Sequence, residues 1–268
     1  MPVIIDKSKC IGCGACAEDC VSGCLAIRDG GAVLETDGCI LCGHCVAICP
    51  AEAISIPECR MDLVEELLPA DMKEDPVHLQ RFLSGSRSIR RYRPIPVERE
   101  KLEAILETGR MSPTAGNRQN LRFVVLQERL PELRVLAVEA LYRNAKDIAA
   151  RLGTDRYIST LTRMHEELLC GRDRLFFGAP AVIVVVERGG DAVNGALAAS
   201  RMALMAQALG LGICFNGFFS SAAELEPRIR EMLGLGAADR IALTFVVGYP
   251  DVTYLRTAPR RKLRADWL

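Results

Sequence analysis

"CIGCGACAEDC" at residues 10–20 and "CILCGHCVAIC" at residues 39–49 are one pattern written twice. The offset of 29 residues carries Cys10, Cys13, Cys16 and Cys20 onto Cys39, Cys42, Cys45 and Cys49. Apolar pairs follow the same offset: Leu25 and Ile27 map onto Ile54 and Ile56, and each pair reads as a short strand by its alternation. Ten of the twelve cysteines lie between Cys10 and Cys59, and only Cys170 and Cys214 lie beyond. The front of the chain is therefore one unit, distinct in chemistry from the rest.

Thiolates three residues apart on a tight loop can hold three corners of an iron-sulfur cube, and the fourth must come from elsewhere. In the C-x2-C-x2-C-x3-C run of bacterial ferredoxins the fourth cysteine ligates the other cluster. On that pattern Cys10, Cys13, Cys16 and Cys49 hold one [4Fe-4S] cluster, and Cys39, Cys42, Cys45 and Cys20 hold the second. Structural zinc also uses paired C-x2-C ligands, but it needs only four per site, and three tight cysteines with a swapped fourth suit it poorly. The segment resembles the two-cluster bacterial ferredoxins over about 60 residues, with Pro50 after the second run and Val21 where the first run would carry proline. Cys24, matched by Ala53 in the second copy, reads as a packed thiol rather than a ligand. The role of Cys59 stays open, as does whether His44 tunes a cluster or is an ordinary loop histidine.

The whole chain of 268 residues is half hydrophobic and a quarter charged, with 34 basic and 34 acidic residues. A net charge of zero gives no reason to expect nucleic acid or a membrane as partner. Residues 1–60 hold 4 of the basic and 8 of the acidic side chains, so the front is acidic and the remainder basic. The opening "MPVIIDKSKC" has no long apolar stretch of a secretory signal, and metal-type cysteine usage fits a reducing compartment, so the expected location is cytoplasmic. The most apolar long stretch, Asn194 to Cys214, is interrupted by Arg201 and Gln207 and reads as a buried helix rather than a membrane span.

Beyond residue 60 the cysteines thin out and helical periodicity begins, with Pro69 and Pro76 in an acidic stretch. The expected organisation is a two-cluster domain over 1–60, a linker over 61–76 and a larger domain over 77–268. "PVEREKLEAILETGRM" predicts a helix with Leu102, Ile105 and Leu106 on one face. "LRFVVLQ", "APAVIVVVE" and "IALTFVVGYP" predict three buried strands. "NGALAASRMALMAQALG", apolar nearly all round and rich in small residues, predicts a central, fully packed helix. The fold class is therefore α+β, a small ferredoxin-like domain fused to a helix-rich domain with few strands.

No G-x-G-x-x-G follows a predicted strand, and there is no Walker A loop, so a Rossmann or P-loop nucleotide site is not expected. Four other pieces stand out. "SRSIRRY" places Arg87, Ser88 and Arg90 together as a phosphate grip. "MSPTAGNRQN" offers the amides of Asn117 and Gln119. "LGLGICFNGFFS" is a glycine-containing turn after the central helix, and the tail adds "PRRK".

In this order the four pieces resemble the FMN-dependent nitroreductase family over about residues 81–268. The resemblance implies that Arg87, Ser88, Arg90, Arg260 and Arg261 hold the FMN phosphate, and that Asn117 and Gln119 contact the flavin ring. It implies too that Gly217, beside Asn216, places a backbone N–H near flavin N5; read without the resemblance, Gly217 is simply a helix-terminating turn residue. It further implies a homodimer with flavin at the subunit interface. Ser86 stands where many relatives carry arginine, and "RQNLRF" replaces their Gln-Pro-Trp.

The resulting reading is a flavin-dependent oxidoreductase in which two [4Fe-4S] clusters supply FMN, which then delivers hydride from N5 to a nitroaromatic, quinone or similar small acceptor. No catalytic side-chain constellation is found, and flavin chemistry needs none. Two alternatives stand beside it: NAD(P)H reducing the flavin directly with the clusters auxiliary, and a non-catalytic electron carrier or redox sensor. An external ferredoxin or NAD(P)H is the candidate donor.

Overall fold

The computed structural model describes residues 2–189 and 192–268. The chain divides into two compact units, Met1–Glu74 with Thr114–Arg118, and Asp75–Pro113 with Gln119–Leu268.

In the first unit β1 (Ile4–Ile5) pairs antiparallel with β4 (Ile54–Ser55), and β2 (Leu25–Arg28) with β3 (Gly31–Leu34). Two short helices, α1 (Ala15–Glu18) and α2 (His44–Ile48), begin within the two cysteine runs. The predicted strand pairs both form, Leu25 and Ile27 within β2 and Ile54 within β4, with Ile56 buried just beyond it. Val3, Cys16, Leu25, Ala32, Ile54 and Ile56 make the core. Cys59 and Met61 pack against it, and a 3-10 turn spans Met61–Leu63, so this unit runs past residue 60 into the stretch read as linker.

The second unit is a four-stranded antiparallel sheet in the order β5-β6-β8-β7, where β5 is Leu121–Leu126, β6 Ala181–Arg188, β7 Gly212–Phe215 and β8 Asp239–Gly248. The β-branched run of β6 suits a strand buried on both faces. Val182, Val184 and Val186 enter one core with residues of α5 (Leu130–Arg143), α7 (Arg156–Leu169) and α9 (Gly217–Leu225). Ala181, Ile183 and Val185 enter the other with residues of α4 (Arg99–Arg110) and α8 (Val193–Ala208). Helices α3 (Pro76–Gly85), α6 (Ala145–Leu152) and α10 (Pro227–Met232) complete the unit.

Local chemistry fixes the helix starts. Asp75 caps α3 by accepting from the N–H groups of Val77 (3.0 Å) and His78 (3.3 Å), with Pro76 leading the helix. The buried Glu187 at the end of β6 serves α8, accepting from the Gly195 N–H at 3.2 Å and the Asn194 amide at 2.8 Å. Gly195 must be glycine, because a Cβ there would run into the Cβ of Ala242 on β8.

Two expectations change. The helix α8 is packed on one face only: Asn194, Gly195, Ala198, Ala199, Met202 and Ala206 are buried, while Ala196, Leu197 and Ser200 are exposed. Small side chains all round hide this asymmetry from a periodicity reading. The segment "GICF", read as part of a turn, is the edge strand β7, too short and glycine-flanked to announce itself. No helix among the described residues is long and apolar enough to cross a membrane.

Candidate functional site

In the first unit the cysteines sort into two sets. Cys10, Cys13, Cys16 and Cys49 line one small cavity; Cys20, Cys39, Cys42 and Cys45 line a second. All twelve cysteines are free thiols. Among the described residues, no three His, Cys, Asp or Glu side chains converge closely enough to hold a single metal ion. A cube takes one thiolate per iron and so spreads its ligands more widely than one tetrahedral zinc does.

The repeat also governs how backbone N–H groups reach the sulfurs. Cys24 N–H points to Cys20 Sγ and Ala53 N–H to Cys49 Sγ, each at 3.3 Å and each four residues on. The N–H groups of Ala32 and Gly12 hold the Cys10 thiol below its ordinary value. Burial pushes the Cys45 thiol up to about 11 and raises that of Cys16. These are the two influences that set how readily a buried thiol takes up a metal in place of its proton. Cys24 is buried and its thiol faces the Ser22 carbonyl at 3.7 Å, as expected of a packed residue, though it also lines the second cavity. His44 lies 3.0 Å from Asp19 through Nδ1.

In the second unit Arg87, Ser88, Arg90 and Arg260 line one cavity of about 620 Å³, within the range of small-ligand sites. The chain carrying the first three runs alongside the edge strand β7, with Ile89 N–H donating to the Ile213 carbonyl at 2.8 Å and Ser88 bridging to Ile213. Ile89 is buried while Ser88 and Arg90 are exposed, so extended backbone turns the polar pair outward. Arg87 donates through Nη1 to the Ser86 carbonyl at 2.7 Å, while its Nη2 is buried without a partner. A buried guanidinium nitrogen left unsatisfied beside a cavity can donate to an anion there.

Asn216 and Gly217 line a neighbouring cavity of about 390 Å³ together with Phe177, Phe218 and Tyr157; Arg90 and Phe215 border both cavities. Gly217 opens α9, where its N–H has no intrahelical use, and the space at its Cα is open. The Asn216 side chain is committed elsewhere, accepting from Phe219 N–H (3.1 Å) as the α9 cap and donating to the Leu175 carbonyl (2.8 Å).

Three residues read as flavin contacts are not brought to either cavity. Asn117 belongs to the first unit, where its amide donates to the carbonyls of Ile40 (3.1 Å) and Leu41 (2.8 Å). Gln119 lies just past that segment and lines neither cavity, and Arg261 is exposed in the irregular tail beyond Arg260. The amide loop takes left-handed backbone angles at Gly116, Asn117 and Gln119, which turn the chain there and redirect the Asn117 and Gln119 side chains.

Gln207 belongs to the site without belonging to any of the four sequence motifs. On α8 it lines the larger cavity, donates to the Phe82 carbonyl at 2.7 Å and accepts from the Ser86 hydroxyl, so it ties the helix to the chain just ahead of Arg87. A lone glutamine near the end of an apolar helix was its signal, read only as an interruption.

Fold and cavities together define a cofactor-binding α+β protein with a thiol-rich unit joined to it. The chain belongs to the nitroreductase family, whose model matches residues 83–249. The model of the 4Fe-4S dicluster domain matches residues 9–54. Among solved structures the fold is similar to a nitroreductase with bound FMN from Desulfitobacterium hafniense DCB-2, at 21% identity and TM-score 0.55 over 70% of this chain and 97% of that one. It is similar also to an FMN-dependent nitroreductase from Clostridium difficile R20291 (17%, TM-score 0.53, 70% and 98%). A third is a nitroreductase with bound FMN from Bacteroides fragilis NCTC 9343 (19%, TM-score 0.51, 72% and 96%). No curated protein matches the chain.

Proposed function

We propose that this chain is an FMN-dependent oxidoreductase whose flavin is supplied by two [4Fe-4S] clusters. The observation that carries the reading is the cavity that gathers Arg87, Ser88, Arg90 and Arg260 around a buried, unpartnered Arg87 Nη2. These residues fit the phosphate end of FMN: three guanidiniums neutralise it and the Ser88 hydroxyl donates to it. The two four-thiol cavities fit one cube each, with Cys20 and Cys49 exchanged between the runs.

When bound, the clusters supply single electrons and FMN converts them to hydride delivery from N5 to a nitroaromatic, quinone or similar small acceptor. The chain's own part is binding and orientation. Gly217 presents a backbone N–H at the start of α9, and Arg90 and Phe215 form the wall shared by the two cavities. The cavity beside Gly217 and Phe218, lined by aromatic side chains, supports an organic acceptor rather than a pure electron carrier. Asn117, Gln119 and Arg261 have no place in this flavin site as it stands.

The exposed face of α8, with Ala196, Leu197 and Ser200, supports a homodimer, and free thiols support a cytoplasmic setting. The protein works as a pair of domains, the expected 1–60 domain extending into the 61–76 stretch ahead of the larger domain from 77 to 268. An anaerobic visible spectrum with iron, sulfide and flavin analysis tests the proposal. About eight irons and one FMN per chain are expected; a zinc-loaded or flavin-free protein overturns it. Mixing with NAD(P)H distinguishes donors, because prompt flavin bleaching would make the clusters auxiliary.

A further inference from the structure

The two cysteine runs differ at one position that matters for their geometry. The third residue is Gly12 in the first run and Leu41 in the second, related by the same 29-residue offset. Both take left-handed backbone angles, φ 66° at Gly12 and 54° at Leu41. Glycine adopts that region freely, and at Gly12 a Cβ would also run into the Gly30 carbonyl. A leucine there is disfavoured by contact of its Cβ with its own backbone. The second run therefore needs a restraint that the first does not.

Asn117 supplies one. Its Nδ2 donates to the carbonyl of Ile40 at 3.1 Å and to that of Leu41 at 2.8 Å, gripping the chain on both sides of the strained residue. The Ile40 carbonyl and the Leu41 N–H are the two ends of one peptide plane. That N–H points at Cys39 Sγ, 3.4 Å away. The amide thus starts a chain of dipoles, from Asn117 through the Ile40–Leu41 peptide to the Cys39 sulfur, in which each hydrogen bond strengthens the next. In the first run the Gly12 N–H also acts on the Cys10 sulfur, which takes a second N–H, from Ala32, at 3.3 Å.

Resting on the reading that Cys39 ligates a cluster, we propose that Asn117 is a positioning residue for the second cluster: it pins Leu41, keeps the Leu41 N–H on Cys39 Sγ, and so raises that cluster's reduction potential. A hydrogen bond to a ligating sulfur favours the more negative, reduced cluster, so its loss lowers the potential.

The test is an anaerobic, EPR-monitored redox titration of the full-length holoprotein, wild type against Asn117→Ala, with iron release to a chelator followed in parallel. One midpoint is expected to fall while the other stays put, and about half of the iron is expected to leave faster. Adding Leu41→Gly to Asn117→Ala should restore much of the chelator resistance, because glycine needs no pinning. If Asn117→Ala cannot be recovered folded but the double variant can, the strain argument is supported; failure of both overturns it. Unchanged midpoints with two intact clusters overturn it as well, as does a loss of FMN affinity alone, which would return Asn117 to the flavin. A wild-type protein without iron would instead defeat the two-cluster reading, and that outcome is visible before any variant is made.

Discussion

The first unit's core consists of six buried residues, one of them a cysteine, and its longest strands have four residues. In the second unit β6 alone buries seven consecutive residues between two layers of helices. A domain of that smaller size seldom holds together on apolar burial alone, and needs metal, disulfides or a partner. With all its thiols free, the first unit has only its clusters to rely on. The second has a core of ordinary size. One half of the protein is thus organised by its cofactor, the other by its own side chains, with a cavity at the sheet edge.

The sharpest way to break this contrast is to remove a cluster ligand. Cys42→Ser is expected to cost the second cluster, roughly half the iron, and to lower the melting temperature of the first unit, while the larger domain keeps its helical signal and its FMN. Circular dichroism with iron analysis would show it. If both halves melt together, the independence of the two units is wrong.

A smaller effect is expected at the anion site. Arg87→Ala removes a guanidinium whose Nη2 is buried and unpartnered, and charge-assisted hydrogen bonds contribute about 1.5–3 kcal/mol. FMN affinity should fall by about 10- to 150-fold, read by fluorescence titration, with iron content unchanged. Comparable but purely structural is Gly195→Ala, which sets a methyl against Ala242. Overpacking of this kind costs about 1–3 kcal/mol, so a lowered Tm confined to the larger domain is the expected result.

The smallest effect concerns acid. Hydrogen bonding from Arg228, against the opposing effect of burial, holds Glu226 below the usual carboxylate range, and the Gly236 N–H does the same for Asp239. Because their folded values lie below their unfolded ones, both carboxylates stabilise the fold above the ordinary carboxylate range, and that contribution is lost as pH falls through the folded values. Stability of the larger domain should therefore decline below about pH 4, and Glu226→Gln should flatten the decline.

The same contrast explains what the sequence disclosed. The thiol spacing is local, so the strands around Leu25 and Ile54 and the sorting of eight cysteines into two sets could be read from the repeat. The strands β5, β6 and β8 announced themselves by long β-branched or apolar runs. The strand β7 did not, having four residues and no length to establish a pattern. The small residues of α8 gave no hint that one face stays exposed. At the site, Arg87, Ser88 and Arg90 were legible because they lie close together in the chain. The bonds of Asn117 to Ile40 and Leu41 were not legible, because those partners are more than seventy residues away and present only backbone carbonyls, which no motif records.

The central claim, that clusters feed the flavin, is tested most directly by anaerobic stopped-flow reduction of the holoprotein, following cluster and flavin absorbance together. Cluster bleaching is expected to be followed by flavin reduction within the same molecules, in the absence of NAD(P)H. Clusters fully reduced beside a flavin that stays oxidised would contradict it.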